Sequence, residues 1–186
     1  MRASLAGAVD RLHALVHDVA WVGRDNVHLT LKFLGAVESD RLESVTAALT
    51  GAAATCRPFE LGLGRLGAFP SLTHPRVIWA GVDEGAAESA ALAARVDAAL
   101  TGLGFEPETR PYSPHVTLGR VRQPRRQPHL VEVTGGGSHG RQRVDRVSLM
   151  RSELSPRGAR YTELAAIPLA AAGPESPVSP SALRIE

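Results

Sequence analysis

A tetrapeptide of the form His-apolar-Thr-apolar occurs twice in this chain, as His28-Leu29-Thr30-Leu31 and as His115-Val116-Thr117-Leu118. With 7 His and 10 Thr in 186 residues and 44% apolar side chains, chance supplies about 0.07 such tetrapeptides per chain. On a strand, residues i and i+2 share a face, so each copy presents an imidazole beside a hydroxyl while its apolar pair turns to the core. Two imidazoles can divide a proton transfer, one as base and one as acid, because imidazole as a group exchanges protons near neutral pH. Two threonine hydroxyls can donate to the non-bridging oxygens of a phosphate as it gains charge. The set suits in-line displacement at phosphorus, with a cyclic phosphodiester as the natural substrate. One imidazole would activate water and the other would protonate the departing sugar oxygen. The two motifs are chemically alike, so their residues alone leave open which histidine is the acid.

The main chemical rival is a metal site built on the two histidines. Zinc normally takes a third protein ligand, and none is suitably placed. His13 and His17 stand four apart, a metal-compatible spacing that is more often solvated; His74, His129 and His139 carry no assigned role. Cys56 is the sole cysteine, which excludes an internal disulfide and a cysteine-based zinc site. No cofactor is expected.

Charge narrows the field further. Of 21 basic residues only Lys32 is lysine, and it is followed by Phe33, so no phosphate-binding P-loop exists and covalent lysine chemistry has one residue to use. The net charge of +2 hides an asymmetry. Residues 1–109 carry 9 basic and 13 acidic groups, net −4, whereas residues 110–160 carry 11 and 3, net +8. The basic segment contains the second motif. No apolar run spans a bilayer and no signal-peptide stretch opens the chain, so a cytoplasmic protein is expected.

The elements that must carry these residues follow from periodicity. Residues 2–19 have Leu5, Val9, Leu12, Val16 and Val19 at helical spacing. Residues 26–33 alternate as a strand, which places Phe33 with Leu29 and Leu31 on the core side. A helix is expected from Ser39 to Ala54, strands over 59–66 and 76–82, a helix over 88–103 and a strand over 115–121. Residues 122–143 read as basic and irregular, 144–150 and 161–169 as a final strand pair, and 170–186 as a disordered tail. Short alternating strands with hairpin-like connections predict an α+β fold with antiparallel sheets.

Beyond the two motifs, His28-Leu29-Thr30-Leu31-Lys32-Phe33-Leu34-Gly35, Gly67-Ala68-Phe69-Pro70, Pro75-Arg76-Val77-Ile78-Trp79-Ala80-Gly81, Arg151-Ser152-Glu153-Leu154 and Gly158-Ala159-Arg160-Tyr161 follow in order. Together they resemble the 2H phosphoesterase superfamily, and most closely its RNA 2′,3′-cyclic phosphodiesterase (2′-5′ RNA ligase-like) family. The resemblance covers residues 1–169 as a single domain. It implies two pseudo-twofold-related lobes, each an antiparallel sheet flanked by helices, around a central cleft with one motif per lobe. It further implies His28 as proton donor to the leaving oxygen, His115 as the acceptor that activates water, and Thr30 and Thr117 as phosphate-binding residues. The product would be a terminal 2′-phosphate, formed without metal, and ligation of 2′,3′-cyclic and 5′-hydroxyl ends would be the reverse reaction. Family members usually open with a strand of the type Arg-Leu-Phe-Val-Ala, which this sequence lacks.

The expected partners are RNAs with 2′,3′-cyclic phosphate ends, tRNA fragments among them, or cyclic nucleotides, met by a monomer. Arg120, Arg122, Arg151, Arg157 and Arg160 are candidates for holding RNA phosphates, and Tyr112, Phe69 and Phe33 for stacking on a base. The alternatives are a phosphodiesterase for small cyclic nucleotides or ADP-ribose cyclic phosphate, and an RNA-binding module of the same fold without catalysis.

Overall fold

The computed structural model describes residues 2–123, 126, 130, 137–155, 158–170 and 181–185. Its helices are α1 (Arg2–Leu15), α2 (Leu42–Ala53) and α3 (Ala86–Thr101). Its strands are β1 (Val19–Trp21), β2 (Phe59–Phe69), β3 (Val77–Glu84), β4 (His115–Val121), β5 (Arg141–Ser155), β6 (Gly158–Pro168) and β7 (Ser181–Ile185). This is the expected α+β arrangement with antiparallel pairing, except that β7 joins β5 in parallel. The chain divides into two compact units, each assembled from three separate stretches.

The first unit comprises Met1–Leu29, Leu61–Gly85 and His115–Gln142. Its strands run in the order β1-β4-β3-β2, each antiparallel to its neighbour. Leu5, Ala8, Leu12 and Val16 are buried at helical spacing, and Ile78, Ala80, Val116 and Leu118 are buried at strand spacing. The helix predicted over 2–19 stops at Leu15. Asp18 adopts a left-handed φ of 59°, a conformation an aspartate tolerates, and Val19 then opens β1 opposite Val121. The apolar stripe therefore outruns the helix, because Val19, half-buried, is taken as the first residue of β1 and not as the next helical turn.

Thr30–Glu60, Ala86–Pro114 and Arg143–Glu186 form the second unit. Here α2 packs against α3 and β6, and β5 and β6 form a long hairpin. The boundary between units falls inside the first motif, after Leu29, and the second motif lies wholly in the first unit. Among the described residues no helix is long and apolar enough to cross a membrane.

Two further expectations change. Residues 26–33 do not form a strand: a 3₁₀ turn at Arg24–Asn26 leads to isolated bridge residues at Leu29 and Thr30, with Leu29 bridging antiparallel to Val116. Alternation then fails, since Leu31 and Lys32 are both buried and Phe33 is 60% exposed. The cause is Lys32, which points inward to Asp97 Oδ1 at 2.5 Å and the Glu106 carbonyl at 2.6 Å. Burying that ammonium turns Phe33 outward. The tail expectation also fails for residues 181–185, which pair with Val144–Leu149 of β5 as β7. Apolar Ala182, Leu183 and Ile185 give that segment strand character that the Pro- and Ser-rich stretch before it obscured. Of the irregular segment expected over 122–143, residues 124–125, 127–129 and 131–136 lie outside the described residues, and 141–143 open β5.

The Lys32–Asp97 pair predicts a stability effect. The Lys32 ammonium, by hydrogen bond above all, holds the Asp97 carboxyl below its ordinary range, with help from the Glu108 amide at 3.1 Å. Replacing Asp97 by Asn leaves a buried ammonium without its counter-charge and should cost about 3 kcal/mol at neutral pH. A carboxyl depressed in the fold contributes fully above its unfolded value, near 4, and loses that contribution as pH falls through its folded value. Urea unfolding of wild type and Asp97→Asn should therefore give stabilities that differ at pH 7 and converge as the pH falls through the lowered folded value of Asp97.

Candidate active site

The two motifs meet at their apolar members. Leu29 and Val116 are both buried and bridge antiparallel, so the tetrapeptides run in opposite directions and His28 comes alongside Thr117. His28 enters from the 3₁₀ turn, whose Asn26 carbonyl accepts a 2.6 Å bond from Nδ1. A carbonyl only accepts, so Nδ1 carries the hydrogen and any proton exchange falls to Nε2. This bond fixes the ring's orientation whether Nε2 is protonated or not.

His115 and Thr117 stand on the opposite face of β4 from the buried Val116 and Leu118. In the ladder His115 faces Gly81 and Thr117 faces Trp79, while Trp79 in turn faces Gly67 of β2. Residues paired in this way project from the same face. The indole lies flat across two glycines. A Cβ at Gly67 would collide with its Cζ2 and Cη2, and one at Gly81 would lie 3.1 Å from Cζ3. The imidazole of His115 sits 6.2 Å from the indole and 5.2 Å from the Phe69 ring, which it meets edge to face at 80°. Phe69 and Trp79 are themselves 5.1 Å apart. His115 thus occupies an aromatic seat whose floor is Trp79.

Arg120 reaches the same face by an irregularity. Counting in twos from His115 would put it on the core side with Val116 and Leu118. Ile78 pairs with Gly119 but Trp79 pairs with Thr117, so β4 carries one extra residue, and Arg120 emerges exposed opposite Val77. A β-bulge of this kind re-aims the side chains beyond it.

The remaining candidates lie elsewhere. Thr30, in the second unit, is held through its carbonyl by the Tyr112 hydroxyl at 2.9 Å, and burial pushes the phenol well above its ordinary range. Tyr112 therefore anchors the first motif's backbone at Thr30. Phe33, read as core, is the exposed aromatic of this stretch. Arg151 is exposed on β5 opposite Thr162, and Arg160 pairs across the hairpin with Glu153. Arg157 lies outside the described residues. Among the described residues no three His, Cys, Asp or Glu side chains converge on a point. Trp79 was missed as a site residue, since nothing in one sequence signals that two glycines on different strands clear a bed for it.

Comparison with known proteins identifies the family. The model of the family described as the 2′-5′ RNA ligase superfamily matches residues 2–156. A relative named RNA 2′,3′-cyclic phosphodiesterase from Methanothermobacter thermautotrophicus is 37% identical over 83% of this chain and 85% of its own length. One of the same name from Aeropyrum pernix is 36% identical over 80% and 85%. Among solved structures, TT0787 of Thermus thermophilus superposes with a TM-score of 0.77 at 28% identity, covering 90% of this chain and 91% of that one. LigT of E. coli, crystallised with NADP+, gives 0.67 at 26% identity and 91% coverage of both chains.

The glycine bed under Trp79 can be tested without any assay of chemistry. In a Trp21→Phe background Trp79 is the only indole. Gly67→Ala should then red-shift its emission and destabilise the protein by about 1–3 kcal/mol through overpacking. Gly51→Ala, in α2 with nothing within 4 Å of the added methyl, should instead stabilise by about 0.5–1 kcal/mol and leave emission unchanged.

Proposed function

We infer that this chain, which belongs to the 2′-5′ RNA ligase superfamily, is an RNA 2′,3′-cyclic phosphodiesterase that works through its paired His-x-Thr motifs. The relatives carrying that activity in their names match most of the chain at 34–37% identity. The observation that carries the assignment of residues is the Leu29–Val116 bridge, which supports a site with His28 beside Thr117.

In this reading the cyclic phosphate binds with its non-bridging oxygens toward the hydroxyls of Thr117 and Thr30. His115, oriented by Phe69 and Trp79, takes a proton from water, and the hydroxide attacks phosphorus. The bond from phosphorus to the 3′ oxygen breaks, and His28 delivers its Nε2 proton to that oxygen. The product is a 2′-phosphomonoester with a free 3′ hydroxyl. The Asn26 carbonyl on Nδ1 supports His28 as the donor, because the ring keeps its aim before and after the proton leaves. Both proton transfers are supplied by imidazole, so the reaction as written calls for no metal. Arg120, on the Thr117 face, supplies positive charge to the phosphate, and the exposed Phe33 is available to a base. The same site run backwards would join 2′,3′-cyclic and 5′-hydroxyl ends.

Hydrolysis of an RNA 2′,3′-cyclic phosphate end should persist in EDTA and follow a bell-shaped pH profile. His28→Ala and His115→Ala should each reduce kcat by about 10²-fold or more. A double mutant as active as wild type would sink the mechanism, and RNA binding with a normal salt slope but no turnover would mark a binding module instead.

A further inference from the structure

We propose that Arg65 is a second phosphate subsite, one that holds a phosphodiester of the RNA beyond the cyclic end and so favours polynucleotide ends over cyclic mononucleotides. The inference rests on the reading of the site as a cyclic phosphodiesterase and extends it to substrate class.

Alternation along β2 would bury Arg65. Leu61 and Leu63 are buried core residues, and position 65 has their parity. The ladder is irregular here: Leu63 pairs with Val82 and Leu66 with Ala80, three steps on β2 against two on β3. Leu66 takes the core position and Arg65 is turned out to solvent. It comes out on a specific face. A Cβ built on Gly81 lies 3.6 Å from the Arg65 Cγ, and Gly81 is the residue directly opposite His115. The stem of Arg65 therefore rises on the His115 side of the sheet, two strands or roughly 10 Å from the β4 backbone.

Two arginines thus stand on this one face, each put there by a break in strand register. Arg120 is level with Val77 and Arg65 is level with Gly81, at opposite ends of the strip that carries Thr117, Trp79 and His115. Bulges occur preferentially beside active sites, where they re-aim a side chain. Charge also points outward from Arg65. Among the described residues it makes no ion pair. Glu84 is taken by Arg141 at 2.6 Å, and the Asp83 carboxylate lies over Gly64 without reaching the guanidinium. A guanidinium presents two parallel donors to a phosphate and does not lose its charge at working pH. With Arg120 at the Thr117 end, the diester next to the cyclic terminus is the anion left for Arg65.

The test compares a 2′,3′-cyclic mononucleotide with a short oligonucleotide ending in the same cyclic nucleotide, for wild type, Arg65→Gln and Arg65→Lys. The ratio of kcat/KM for oligonucleotide over mononucleotide should fall about tenfold in Arg65→Gln, through KM and not kcat. The salt dependence of the oligonucleotide KM should lose about 0.7 in logarithmic slope. Arg65→Lys, which keeps the charge but not the fork, should recover part of the ratio and all of the slope. Equal losses on both substrates, or no loss on either with thermal stability unchanged, would overturn the subsite while leaving the phosphodiesterase reading intact. A wild type inert on both substrates would instead overturn that reading and the subsite with it.

Discussion

Strand β4 must bury Val116 and Leu118 while holding His115 and Thr117 on its other face, and the chemistry of the first unit follows from that parity. Val116 serves twice: it is core, and it is the residue on which Leu29 docks to bring the first motif alongside the second. Losing the apolar side of β4 would therefore scatter the polar side without touching it. The same sheet then uses controlled failures of parity. Arginines that regular alternation would have buried at positions 65 and 120 are turned out by extra residues in β2 and β4. A regular ladder supplies the fixed pair, and irregular ladders supply the charge around it.

His28 and His115 are alike in type but not in setting. One is tethered by a hydrogen bond to a turn carbonyl, the other is seated by aromatic contact on a floor cleared by two glycines. The tether tolerates gain and loss of a proton at the far nitrogen. The seat fixes a plane and leaves the ring's own donors and acceptors to other partners. Motifs alike in sequence are thereby given unlike supports.

How much of this was legible in the sequence differs by residue. Strand β4 was readable to its ends, because His115–Val121 alternates cleanly and lies beyond two prolines. The α+β character and the two His-x-Thr motifs were readable for the same reason. Phe33 was not, since alternation cannot foresee that Lys32 is drawn inward by an aspartate 65 residues away. Nor was β1, where three residues continue a helical apolar stripe but are claimed by Val121 and its neighbours. Trp79 and Arg65 escaped because their roles depend on cross-strand glycines and on register shifts, which are properties of pairs of strands. Local patterns were visible and cross-chain pairings were not.

Within the second unit, Thr30 and Lys32 are held by polar groups of low accessibility. Tyr112 holds the Thr30 carbonyl, and the Lys32 ammonium bridges Asp97 and the Glu106 carbonyl. Lys32 is the chain's only lysine, and it is 3% exposed. All other side-chain cations are guanidinium groups, so reagents that target primary amines find no accessible side chain on the folded protein. Acylating dyes, bis-succinimidyl cross-linkers and reductive methylation would leave the arginine-bearing faces untouched. Lysine acylation would become a readout of unfolding, since the one ε-amino group reacts only when its burial is lost.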